Sequence, residues 1–214
     1  MRTKTLLLTA ALCAAGIATS KAQVYSVNAV GYVNTSLLKG FNLISNPLDN
    51  KATDGNKIKN LFAALPAGAQ VFYFDGSKYA IAAVDEFTGE ITGDAAETVL
   101  DPGNGVFVRV DAPTTVTFVG EVPAGQTHNQ IPKGFSIKAS KVPQAGKVST
   151  DLSFPKAAAD QIFVFDTAAN KYITSTVDEF TGDWDNEPTL QVGQAVFVRT
   201  DAAKDWARNF DISK

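Results

Sequence analysis

The chain has 214 residues, 19 of them basic and 22 acidic, with a formal net charge of -3 at pH 7 and a single cysteine. A mild acidic excess without any run of lysine or arginine argues against a nucleic-acid ligand, because phosphate binding needs clustered cations. Beyond the N-terminal segment no apolar stretch is long enough to cross a bilayer as a helix, and one cysteine excludes a disulfide framework.

Arg2 and Lys4 precede an apolar run from Leu6 to Ala18, and Ser20-Lys21-Ala22 has the small-x-small form of a signal-peptidase site. Residues 1-22 are therefore expected to be a signal peptide, the mature chain starting at Gln23 and reaching the periplasm, the cell surface or the extracellular space. A lipid anchor on Cys13 is disfavoured, because Leu12 stands where lipid transfer needs a small side chain. Removing 22 of the 214 residues leaves 192. Arg2, Lys4, Lys21 and Cys13 go with them, so 16 basic residues remain against 22 acidic, the net charge becomes -6, and stability rests on packing without disulfides.

In chain order, Val30-Gly31 opens the first block and Phe41 to Ile44 reads as a strand. Ile58, Leu61, Phe62 and Leu65 recur at helical spacing before Pro66, predicting a short helix over Lys57 to Leu65. Val71 to Phe74 is β-branched or aromatic at every position and too short for a helix, as are Val106 to Val110 and Val116 to Val119. Thr88-Gly89 supplies a hairpin turn, the glycine taking positive φ. Gly103-Asn104-Gly105 is expected to make a tight turn, since no helix follows to hold a phosphate.

After a short bridge, Val122 to Pro132, the blocks return in the same order. Lys133-Gly134-Phe135 answers Lys39-Gly40-Phe41, QIFVFD (Gln161 to Asp166) answers QVFYFD (Gln70 to Asp75), and Lys171-Tyr172 answers Lys78-Tyr79. VDEFTG stands at Val84 to Gly89 and again at Val177 to Gly182, and VFVRVDA at Val106 to Ala112 returns as VFVRTDA at Val196 to Ala202. Val119-Gly120 matches Val30-Gly31, so the strand at Thr117 to Val122 is expected to be shared or exchanged between copies. The helix is replaced by Asp151-Leu152-Ser153-Phe154-Pro155. Offsets between copies change only between apolar blocks, as loops on a fixed scaffold allow. The expected fold is all-β: residues 23-122 and 123-214 form two tandem homologous small β-sandwich or open-barrel units, related by a pseudo-twofold, with at most one or two short helices.

QVYSVNAVGYVN after the signal, KGFNLISNPL, QVFYFD and GNGVFV together resemble a group of small exported proteins of unestablished role, common in verrucomicrobial-type bacteria. More distantly, KGFNLISNPL is similar to the G-W-N-L-I-S-x-P repeats of bacterial surface and extracellular proteins. The resemblance covers nearly the whole mature chain and implies export and a repeated β module, with no catalytic or binding residue to carry over. The second copy departs from the block, reading KGFSIKASKVP, with Lys138 where the first has Ile44.

Several side chains could carry chemistry. His128, the one histidine, stands in the bridge segment GQTHNQ without a G-x-S-x-G elbow, and reads as an exposed loop residue. Asp85-Glu86 and Asp178-Glu179 recur, but neighbours on a strand point to opposite faces, so each pair reads as a hairpin shoulder with one member meeting Arg109 or Arg199. Calcium takes carboxylate oxygens from flexible loops, which makes Asp183, Asp185 and Glu187, with Asn186 between them, the metal candidates, although they do not follow the D-x-[DN]-x-[DN]-G spacing. Exposed aromatic faces bind sugars, and Tyr79, Tyr172, Trp184 and Trp206 are the candidates; recurrence of the tyrosines first suggests packing in the core or at an edge.

The sequence therefore predicts an exported, non-enzymatic β-repeat protein, a structural or adhesive component of the cell envelope or extracellular matrix. Its partners would be copies of itself or an envelope or extracellular polymer. A carbohydrate-binding module is the alternative and a hydrolase the third reading.

Overall fold

Runs of β-branched and aromatic residues bounded by turns form strands throughout the described residues. The computed structural model describes residues 29–212; the expected signal peptide and its cleavage point lie outside them. Strands make up 48% and helix 2% of the structure, in antiparallel sheets none of which closes into a barrel.

The first half holds β1 (Val30–Leu37), β2 (Gly40–Ser45), β3 (Gln70–Phe74), β4 (Tyr79–Val84), β5 (Ile91–Thr92), β6 (Gly105–Val110) and β7 (Thr114–Glu121). The main sheet runs β2-β6-β3-β4-β5, and β1 pairs with β7 as a separate ribbon. The second half holds β8 (Gly125–Ile131), β9 (Gly134–Lys138), β10 (Gly146–Lys147), β11 (Gln161–Asp166), β12 (Lys171–Thr176), β13 (Thr189–Leu190), β14 (Val196–Thr200) and β15 (Lys204–Phe210). Its main sheet runs β9-β14-β11-β12, the β8–β15 ribbon stands apart, and β10 pairs with β13. The order β9-β14-β11-β12 follows that of β2-β6-β3-β4.

Each ribbon covers the inner face of its own main sheet. Leu37, Val116 and Phe118 from β1 and β7 pack with Val71, Val106, Val108 and Val110. Ile131 and Trp206 from β8 and β15 pack with Leu152, Phe154, Ile162, Val196 and Val198. The indole of Trp206 would leave a buried donor, and it donates to the Leu152 carbonyl at 2.6 Å. The expected helix shrinks to one turn, α1 (Ile58–Leu61). Beyond it the chain tightens through a 2.9 Å bond from Leu65 N to Phe62 O, three residues back. The segment closes one end of the first core, with Phe62 5.8 Å from Phe118.

Val30-Gly31 and Val119-Gly120 turn out to be cross-strand partners: Val30 lies opposite Glu121 and Gly31 opposite Gly120. β7 pairs with β1 and forms no sheet with the second half among the described residues. At its C-terminal end the other edge of β7 is taken, because Asp49 and Glu121 exchange backbone hydrogen bonds of 2.9 and 2.8 Å. Gly120 permits that approach; a Cβ there would sit 2.6 Å from the Asp49 carbonyl.

The outer faces of the two main sheets meet in a third apolar cluster. Leu43, Phe72, Phe74 and Phe107 face Ile137, Ala139, Phe165, Ala195 and Phe197. Phe107 meets Phe165 edge-on at 5.2 Å, and Phe74 meets Phe197 at 5.5 Å. Phe107 and Phe197 hold the same place in the two VFVR blocks, as Phe74 and Phe165 do in QVFYFD and QIFVFD, so one contact is made twice with roles exchanged. The backbone repeats this reciprocity: Ser45 N donates to Gly193 O at 2.8 Å and Ala139 N to Gly103 O at 3.0 Å. Isolated bridges join Ile44 to Gln194 and Asn104 to Lys138. Such reciprocity is the mark of an isologous contact.

Gly105 and Ala195, corresponding positions before the VFVR blocks, face each other at the centre. A Cβ on Gly105 would lie 2.4 Å from that of Ala195 and 2.6 Å from Ile137 Cγ2, so only one side can carry a methyl. Gly105→Ala should lower stability by about 1–3 kcal/mol through overpacking, read as a lower midpoint in urea unfolding. An unchanged midpoint would contradict this packing.

Candidate functional site: an aromatic groove at the junction

Successive strand residues point to opposite faces. In β3, Val71 faces the inner core while Phe72 and Phe74 face outward. The β3–β4 register sets Tyr79 opposite Phe74, with ring centroids 5.1 Å apart. Phe41 on β2 stacks toward Phe72 at 5.5 Å and toward Phe107 at 6.1 Å. On the second sheet, Tyr172 packs on Phe165 at 5.2 Å and on Phe197 at 6.1 Å.

The sheets cover each other only in part. What remains open is a groove of about 350 Å³ lined by Phe41, Phe72, Tyr79, Phe107, Phe165, Asn170 and Tyr172. Tyr79 and Tyr172 are each 43% exposed and so belong to neither core. Burial raises the Tyr79 hydroxyl above its ordinary range. Tyr172 is pushed up to about 12, by burial first and then by nearby Tyr79. Both are therefore neutral hydroxyls at ordinary pH, able to donate and accept. Asn170 adds the one amide; it takes φ 49 in a turn where Asp166 Oδ1 accepts from Ala169 N at 3.0 Å.

The other sequence candidates lie elsewhere. Trp184 is half-buried against Phe154 at 6.0 Å, and its Nε1 donates to Ser149 Oγ at 2.9 Å. Asp183 pairs with Lys156 at 2.8 Å, Asp185 accepts from Thr176 N at 2.9 Å, and Glu187 accepts from Ser149 N at 2.8 Å and from Thr150 N and Oγ1, both at 2.7 Å. Burial opposes ionisation of Glu187, but the bonds from Thr150 and Ser149 outweigh it and hold its carboxyl low. The three candidate calcium ligands thus turn to separate partners, Asp183 to Lys156, Asp185 to Thr176 and Glu187 to Ser149 and Thr150. No three His, Cys, Asp or Glu side chains among the described residues gather as a metal site would require.

Asp85 and Asp178 do not meet the arginines. Arg109 pairs with Asp111 at 2.9 Å and Arg199 with Asp201 at 3.2 Å, each two residues along its own chain. Asp85 Oδ1 instead accepts from Phe87 N and Thr88 N, at 2.9 and 2.8 Å. Asp178 Oδ1 accepts from Phe180 N and Thr181 N, at 2.9 and 2.7 Å. The Thr88 and Phe87 amides hold Asp85 below the usual carboxylate range, and those of Thr181 and Phe180 do the same for Asp178. His128 lies on strand β8 rather than in a loop, its Nδ1 2.6 Å from Asp205 Oδ2 across the ribbon.

Phe87 and Phe180, in the two VDEFTG turns, escaped the sequence reading. Each is 96% exposed. The recurring block was visible, but nothing in its composition separates a phenylalanine at a turn tip from one folded back under the hairpin.

No family model matches this chain, and neither the curated proteins nor the solved structures contain a match.

Tyr172 gives a direct probe of the groove. Its folded value, about 12, exceeds the ordinary 10.0, so the unfolded chain releases this proton first and stability should fall as pH rises between them. In an ultraviolet absorbance titration, Tyr79→Phe should shift the Tyr172 midpoint downward by removing the neighbouring charge. A Tyr172 midpoint that ignores the change would contradict the shared groove.

Proposed function

We propose that this chain is an exported, non-enzymatic structural or adhesive component of the cell envelope or extracellular matrix, and that the junction groove is its binding face. One observation carries the reading: Tyr79 and Tyr172, on different halves, line the same open groove. Its walls are ring faces with two neutral hydroxyls and an amide, a surface that holds a partner by apolar contact and a few hydrogen bonds. Purified mature protein should be retained on insoluble envelope or matrix material from the producing cells. Tyr79→Ala and Tyr172→Ala should each weaken retention about tenfold, the scale of an aromatic anchor. Equal retention of both variants and the parent would contradict the reading.

A carbohydrate ligand is the second reading, favoured by the Asn170 amide beside ring faces on which a sugar could stack. Saccharides bound on a glycan array and lost in the tyrosine variants would select it. The hydrolase reading draws no support from the groove, whose lining holds neither a carboxylate nor a histidine.

A further inference from the structure

The two VDEFTG turns are built alike down to individual hydrogen bonds. Asp85 N donates to Glu90 O and Gly89 N to Asp85 O, at 2.9 and 3.0 Å; Asp178 N donates to Asp183 O and Gly182 N to Asp178 O, at 2.8 and 2.9 Å. Gly89 and Gly182 take φ 72 and 71, the left-handed conformation that glycine adopts without strain. With the Asp85 and Asp178 caps, each loop is held in one shape before it meets anything, and each holds a phenyl ring out in water. Ordering cost on binding is small for such a ring, which favours its use as an anchor.

The flanks differ in charge from the groove's surroundings. Asp85, Glu86 and Glu90 are exposed around Phe87, and Asp178, Glu179 and Asp183, the last paired with Lys156, around Phe180. Next to the groove residues Phe41, Tyr79 and Tyr172 the exposed side chains include Lys39, Lys78 and Lys171. Acids stand at the same strand ends too: Asp75 Oδ1 accepts from Ser77 N and Lys78 N at 2.8 and 2.9 Å, and Asp166 Oδ1 from Ala169 N, as Asp85 and Asp178 accept from their own turns. An aromatic tip flanked by three acids therefore matches an aromatic groove whose strand ends carry three lysines against two acids, and about 350 Å³ is ample for one phenyl ring.

We propose that the VDEFTG turn of one molecule, through Phe87 or Phe180, docks in the Tyr79–Tyr172 groove of a second copy. This names the partner of the binding face proposed above and rests on that reading. Tip and groove are different surfaces, so the contact is heterologous, and two tips against one groove make an assembly that grows rather than closing as a pair. The acidic flanks disfavour an anionic membrane as the occupant.

Sedimentation velocity of the mature protein over a wide concentration range tests this. The parent should associate as concentration rises, more weakly in high salt. Phe87→Ala with Phe180→Ala alters two fully solvated side chains; it should keep the melting temperature and lose the association. Lys78→Glu with Lys171→Glu should also lose it while leaving every groove ring in place. Each double variant keeps the surface the other lacks, so mixing them should restore limited complexes that cannot grow. A parent that stays monomeric, a tipless variant that associates like the parent, or a mixture that stays monomeric overturns the proposal, as does binding of the tips to zwitterionic vesicles by a persistent monomer. Loss of polymer retention in the tyrosine variants beside a monomeric parent would refute self-docking while leaving the binding face intact.

Discussion

Each main sheet is apolar on both faces, and that constraint organises the molecule. Strands such as Val71 to Phe74 carry no polar alternation, the pattern of a strand covered on both sides. The inner face is covered by the ribbon of the same half. The outer face, bearing Phe72, Phe74 and Phe107 on one side and Phe165 and Phe197 on the other, has no such cover within its half, and each sheet supplies it to the other. Phe107 lies at the crossing, only 7% exposed, within reach of Phe41, Phe165 and Phe197. Aromatic pairs of this geometry add about 0.5–1.5 kcal/mol each beyond the area they bury, and the reciprocal arrangement makes the contacts in pairs.

The same contact creates the groove. Two sheets that overlap around Phe107 leave the ring-bearing strand ends uncovered, so Phe41, Tyr79 and Tyr172 remain partly open to solvent. Around this shared scaffold the halves diverge. Lys138 stands at the place of Ile44, where its Nζ donates to Asn104 Oδ1 at 2.8 Å. Burial, with help from Lys141, pushes its amine down to about 8. The first ribbon shows Val30, Tyr32 and Val119 to solvent, while the second shows Gln126, His128 and Asn209. Reciprocal contacts thus fix the backbone of the junction, while side chains within it, as at Lys138, and on the surfaces away from it differ between the halves.

Much of the fold was legible in the residues. β-branched and aromatic runs marked the strands, and turn glycines marked the hairpins. The likeness of Val119-Gly120 to Val30-Gly31 suggests a strand shared with the second half; it reflects instead two strands facing each other across a ribbon, with glycine at Gly120 for the close approach of Asp49. The tyrosines of the groove were visible as a recurring pair, but their exposure depends on how far the two outer faces overlap, which strand composition does not encode. The acidic loop from Asp183 to Glu187 resembles a cation site in the sequence because the groups that take its oxygens are not its neighbours there: Thr150 and Lys156 are remote, and Thr176 comes from the preceding strand. Phe87 and Phe180 point into water because Asp85 and Asp178 cap the turn beneath them, an orientation hidden in a string of letters.

Paired outer-face aromatics hold the two sheets together, and a double-mutant cycle on Phe107 and Phe165 measures how strongly. Urea unfolding of Phe107→Ala, Phe165→Ala and the double variant should yield a coupling of about 0.5–1.5 kcal/mol. A coupling indistinguishable from zero, with each single variant no less stable than the parent, would contradict the account.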